Sequence, residues 1–117
     1  MIHYILLSAD TLPTLYEAPE AVAQELQDFA DQFLEEINRP DSSFWRKIKD
    51  PSGEEYDCLS YTEKDFVDWL NSQPETKHFP VREAVGLSLE EREIIMETAR
   101  KEQYLPYEQQ RYPWFNF

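Results

Sequence analysis

The apolar positions of this chain follow several distinct patterns, and each predicts a different element. Ile2 to Ser8 is a short, mostly apolar run of β-compatible residues, which predicts an opening strand in a central place in a sheet. Turn-prone Ala9-Asp10-Thr11 follows, and Leu15 and Tyr16 extend that strand or add another before Pro19. From Pro19 to Asn38 the period changes. Val22, Leu26, Phe29, Phe33 and Ile37 recur at helical spacing and fall within a sector of about 80° at 100° per residue. Proline suits the first turn of such a helix, and Asn38-Arg39-Pro40 ends it.

The period shortens again over Phe44 to Lys49 and Glu54 to Tyr61, which flank Asp50-Pro51-Ser52-Gly53. Proline at the second turn position and glycine at the fourth predict a β-hairpin. Pairing Lys49 with Glu54 puts Arg46 opposite Asp57 and Trp45 opposite Cys58, and groups Trp45 with Lys47, Lys49 and Tyr56 on one face. Thr62 with Asp65 resembles a helix cap, and Phe66, Val67, Trp69 and Leu70 give the buried side of a short helix reaching about Ser72. Pro80 to Val85 reads either as one helical turn stopped by Gly86 or as an extended segment. Ser88-Leu89-Glu90-Glu91 fits a capping box for a helix to about Gln103, with Glu97 and Lys101 spaced as an i,i+4 ion pair. The tail from Tyr104 to Phe117 carries six aromatics, and is expected to dock on its own domain rather than on a partner or a second copy.

These elements predict an α+β fold: a small, mostly antiparallel sheet in the order β-α-β-hairpin-α-α, with the long amphipathic helix on one face. At 117 residues the expectation is a single domain over residues 1–117, ending in the aromatic tail 104–117. A hydrophobic fraction of 41% places the chain among folded proteins despite its net charge of -13.

Charge changes the picture most. The first 38 residues contain no lysine or arginine and carry eight carboxylates: Asp10, Glu17, Glu20, Glu25, Asp28, Asp31, Glu35 and Glu36. On the predicted helix, Glu20, Asp28, Asp31 and Glu35 fall opposite the apolar stripe. Like charges three and four residues apart repel by a few tenths of a kcal/mol (about 0.2–0.5) per pair, so helix formation gains nothing from them. Solubility and partner binding are the two remaining explanations. Nucleic acid and anionic membranes bind through lysine and arginine, so this balance weighs against both as direct ligands and favours a basic protein.

Catalytic chemistry has little to draw on. The chain has two histidines, one cysteine and two glycines, and lacks a P-loop, a dinucleotide fingerprint, a nucleophile elbow and HExxH. No enzyme activity, cofactor or metal site is expected. His3 and His78 are read as structural or solvated, Cys58 as a buried core thiol, and Asp50, Glu54, Glu55 and Asp57 as turn and cross-strand charge rather than a calcium loop. With no basic leader and no apolar run of about 20 residues, the chain reads as cytoplasmic.

The expected function is therefore a small acidic binding protein that neutralises a basic protein, such as a nuclease toxin, by occlusion, as an immunity protein or nuclease inhibitor does. Glu20, Asp28, Asp31 and Glu35 would steer and pair, with Trp45 and Trp114 as aromatic anchors. The alternative is an acidic structural or adaptor subunit that assembles, with other subunits or as a homo-oligomer, through the aromatic tail.

Overall fold

The computed structural model describes residues 2–9 and 12–117, so Asp10 and Thr11 of the expected Ala9-Asp10-Thr11 turn lie outside the described residues. Strands β1 (His3–Ser8), β2 (Thr14–Ala18), β5 (Arg82–Glu83) and β6 (Trp114–Asn116) form one sheet in the order β5-β2-β1-β6. Strands β3 (Trp45–Lys49) and β4 (Glu55–Leu59) form a separate two-stranded hairpin. The helices are α1 (Glu20–Gln24), α2 (Leu26–Ile37), α3 (Glu63–Leu70) and α4 (Leu89–Glu102). The α+β class follows from the sequence pattern. β1 pairs antiparallel with β2 and parallel with β6, and β2 pairs antiparallel with β5.

Alternation along β1 and β2 divides the core between the two faces of the four-stranded sheet. Ile5, Leu7, Tyr16 and Ala18 join Val22, Leu26, Phe29, Phe33, Ile37, Phe66 and Leu70 from α1, α2 and α3. Leu6 and Leu15 point the other way, onto Ala84 and onto Ile95 and Ala99 of α4. The continuous apolarity of β1 thus has its cause: both of its faces are covered. The expectation of a helix on one face holds for α1–α2, and α4 closes the other.

Both capping boxes form. Thr62 Oγ1 accepts Asp65 N–H at 3.3 Å while Asp65 Oδ2 accepts Thr62 N–H at 2.8 Å. Ser88 Oγ accepts Glu91 N–H at 3.1 Å while Glu91 Oε1 accepts Ser88 N–H at 3.3 Å. Each box satisfies two amides that the first helical turn leaves without partners. Glu97 and Lys101 lie 3.8 Å apart, as their spacing predicts.

Three local expectations are corrected, and one open alternative is resolved. The helix expected as one unit from Pro19 breaks at Glu25, whose φ of −117° and ψ of 29° separate α1 from α2. No proline or glycine marks the break, and Val22 and Leu26 are buried on either side of it, so a count of apolar period passes straight through. The hairpin is one residue out of the expected register: Lys49 pairs with Glu55, Arg46 with Cys58 and Trp45 with Leu59. Gly53, at φ 89°, supplies the reason. It donates to Asp50 O at 3.0 Å and Asp50 N–H then bonds Glu54 O at 3.0 Å, so glycine acts as an extra, bulged residue after the turn. Tyr56 consequently leaves the Trp45 face and pairs with Ile48 on the other. Cys58 is half-buried at the hairpin base rather than in the core, because its neighbours there are only partly covered. Pro80 to Val85 takes the extended alternative, with Arg82–Glu83 as edge strand β5.

The end of the aromatic tail packs on its own chain, while Tyr104 at its start is exposed. β6 runs beside β1, and the Phe117 ring lies 6.1 Å from Phe33, 5.8 Å from Tyr61 and 5.0 Å from Phe66. The hairpin instead is exposed from Arg46 to Asp57 apart from half-buried Asp50, and the Cα radius of gyration of the chain is 16.0 Å, against about 13 Å for a compact chain of this length. Among the described residues no helix is long and apolar enough to cross a membrane.

Candidate functional site: an acidic helix face and an acid-rimmed aromatic cavity

Burial of the apolar stripe turns the opposite side of α1 and α2 to solvent. Glu20, Asp28, Asp31 and Glu35 are all exposed there; Glu25, between the two helices, and Glu36, on the flank toward α3, are exposed as well. None of the six makes an ion pair among the described residues, and neither α1 nor α2 has a basic residue in its last turn. The ion pairs elsewhere use other acids: Glu17 with Arg82, Glu55 with Lys49, Glu97 with Arg100 and Lys101, and Glu102 with Arg111. Asp31 also reaches the tail. Its charge, after the larger effect of burial, raises the pKa of Tyr107, whose hydroxyl donates to Trp114 O at 2.9 Å.

The two tryptophans named as aromatic anchors lie on other elements. Trp114 belongs to the α4 side of the sheet, packed against the Leu6, Leu15, Ile95 and Ala99 cluster, with its Nε1–H on Ser8 Oγ at 3.1 Å. The sheet therefore separates it from the outer face of α2. Trp45 is half-buried at the start of the hairpin and donates Nε1–H to Arg39 O at 2.8 Å, so its polar edge is already engaged. The four carboxylates share one face, and neither tryptophan joins them.

Packing of α3 on α2 assembles a different feature at the C-terminal end of α2. A cavity of about 520 Å³ opens between these helices and the connection that follows α2. Phe33, Ile37, Phe44 and Trp69 form its apolar lining, and Glu36, Asp41, Asp65 and Asp68 its carboxylates, with Arg39 the single basic side chain. The rings support one another: Phe33 lies 6.1 Å from Phe44 and 5.8 Å from Trp69, and Trp69 stacks on Phe66 at 6.1 Å. Trp69 Nε1–H donates to Glu36 Oε2 at 2.9 Å, and Asp65 accepts from the Thr62 cap. Neutral donors hold these carboxylates in place, and a neutral donor leaves the charge uncancelled. No ion pair within the described residues involves any of the four acids or Arg39.

Sequence reasoning missed this cavity because its acids come from three separate segments. The one local signal is spacing: Asp65 lies one turn before Trp69, and Glu36 one turn after Phe33. Meeting of the two turns depends on how α2 crosses α3.

A second group of acids surrounds Tyr16. Its pKa is pushed up to about 12 by burial, then by the charges of Glu63, Glu83 and Asp68. Glu63 Oε1 accepts from Thr14 Oγ1 at 2.8 Å, whereas Glu63 Oε2 is buried with no hydrogen-bond partner among the described residues. His3 is half-buried in β1 and His78 is exposed in a loop. Among the described residues no group of three or more His, Cys, Asp or Glu is placed to hold a metal ion. Asp50 serves the turn, its Oδ1 accepting Ser52 N–H at 2.9 Å, Ser52 Oγ–H at 2.5 Å and Glu54 N–H at 3.0 Å. These bonds, that from Ser52 Oγ first, hold its carboxyl below the usual range. No protein-family model matches the chain, and neither a curated protein nor a solved structure matches it.

Proposed function

We propose that this protein binds and neutralises a basic protein by occlusion, in the manner of a toxin-immunity or nuclease-inhibitor protein. The observation that carries the reading is the unpaired carboxylate face of α1 and α2. Elsewhere the chain matches several of its acids with cations, yet this face has none, and its mutual repulsion opposes folding slightly. Such a face raises the encounter rate with a basic surface by roughly 10 to 1000-fold at low salt and selects against nucleic acid and anionic lipid.

Assembly through the aromatic tail, the alternative, has less support. Phe115 and Phe117 are packed against the α2–α3 core, so a tail-mediated contact would have to withdraw them. The test is affinity capture from the source cell at low and high salt, with captured proteins identified by mass. Capture is repeated with Glu20, Asp28, Asp31 and Glu35 all changed to Lys. The expected outcome is a basic protein released by salt, whose association with the reversed variant is at least tenfold slower. Self-association alone, or a captured protein that binds the reversed variant at an unchanged rate, overturns the proposal.

A further inference from the structure

We infer that the cavity between α2 and α3 receives an arginine side chain of the basic partner, holding its guanidinium between the Trp69 and Phe44 rings and the Asp41 and Asp68 carboxylates. This rests on the charge-driven reading above and adds the anchoring contact to it. Charge complementarity decides the occupant. Four carboxylates face one guanidinium around the opening, none of them in an ion pair among the described residues. The last turn of α2 adds the negative end of a helix dipole with no basic residue there to offset it.

The lining selects arginine among cations. Trp69 and Phe44 are both half-buried, so part of each ring is covered by the core and part is accessible. A planar guanidinium stacks on aromatic faces and bonds carboxylates two at a time, whereas an ammonium is compact and strongly hydrated. At about 520 Å³ the cavity lies within the range of ordinary ligand sites and is large enough for one long side chain. The site is also preorganised. Trp69 is fixed by its bond to Glu36 and by stacking on Phe66, and Asp65 by the α3 cap, so little ordering is left for binding. The cavity sits where the acidic row ends. Glu35 is the last acid of that row, and Glu36, its neighbour in sequence, lines the cavity at the C-terminal end of α2.

The experiment titrates the isotope-labelled full chain with acetyl-Gly-Arg-Gly-amide and follows backbone amides and the tryptophan Nε1–H signals. The glutamate counterpart of the peptide and tetramethylammonium chloride, at matched ionic strength, are the controls. Saturable shifts at Trp69 Nε1–H and the Phe44 amide with the arginine peptide, and not with either control, are expected. Asp41→Asn combined with Asp68→Asn weakens this binding at least fivefold, and Arg39→Ala, which removes the competing cation, strengthens it. These positions lie at the cavity opening, and retained amide dispersion confirms the fold of each variant. Non-saturating shifts, equal binding to the double variant, or tetramethylammonium matching the peptide overturns the assignment. Shifts confined to the outer face of α1 and α2 overturn the cavity while leaving charge-driven binding in place. Saturation at Trp69 together with partner capture that ignores the fourfold reversal does the opposite.

Discussion

Tyr16 is only 5% exposed and has Glu63, Glu83 and Asp68 around it, so its phenolate would form in an apolar site already negative. Its pKa near 12 in the folded chain exceeds the ordinary 10.0, which makes it a pH-dependent contributor to stability. Between those two values the unfolded chain has released the proton and the folded chain keeps it. Stability is therefore fully present below about pH 10 and falls as pH rises towards 12. The loss attributable to Tyr16 is about 2–3 kcal/mol, at 1.36 kcal/mol per pH unit. Urea unfolding across pH 9 to 12 should show this steep component in the native chain and lack it in Tyr16→Phe. Parallel curves for the two would refute the assignment. The face on which Tyr16 is buried follows from strand alternation, whereas its three acidic neighbours come from α3 and β5 and are invisible in the local sequence.

At the level of elements, the hairpin shows how one residue sets the placement of ten. Gly53 is the described glycine with positive φ, and a Cβ there would meet no atom within 4 Å, so the constraint is backbone conformation rather than space. Gly53→Ala should cost about 1–2 kcal/mol locally. The hairpin pairs mainly with itself and is largely exposed, so the loss should appear as roughly tenfold faster hydrogen exchange between Arg46 and Asp57, with amides of α2 unchanged. Uniform acceleration across the chain would mean that the hairpin belongs to the global folding unit. The bulge also explains the register error. A four-residue turn signal identified the hairpin correctly, but strand pairing depends on whether its last residue lies in the loop or bulges out of the ladder, and composition is the same either way.

For the whole molecule, closure by the tail matters more than its position at the chain end suggests. β6 covers the open edge of β1, and Phe117 contacts Phe33, Tyr61 and Phe66. Phe33 is 1% exposed and is the ring on which Phe44, Tyr61, Phe66, Trp69 and Phe117 converge. Removing residues 114–117 should therefore destabilise the chain by about 3–5 kcal/mol or more, the cost of losing one buried aromatic, out of a typical total of about 5–15. Thermal and urea melts followed by circular dichroism measure it, and a truncated chain that melts as the full one does would contradict this packing. Truncation consequently cannot separate assembly from folding. The proposed function depends, at this scale, on the charge distribution. Six unpaired carboxylates lie on and between α1 and α2, and Glu36 among them lines the acid-rimmed cavity.

The sequence by itself determined the elements whose cause is local: the apolar stripe of α1 and α2, the caps at Thr62 and Ser88, the turn at Asp50, and the solvent-facing position of Glu20, Asp28, Asp31 and Glu35. Periodicity, capping and turn chemistry act within a few residues, and a reader of the chain sees all the participants. Only the tertiary structure decided what depends on long-range packing. It placed β6 parallel to β1, put Trp114 on the far side of the sheet from the acidic helix, and brought Glu36, Asp41 and Asp68 around Trp69. Those outcomes follow from which apolar faces meet, and many arrangements of the same elements bury similar area. The carboxylates are therefore legible as a surface from the sequence, while the cavity beside them exists only once α3 has crossed α2.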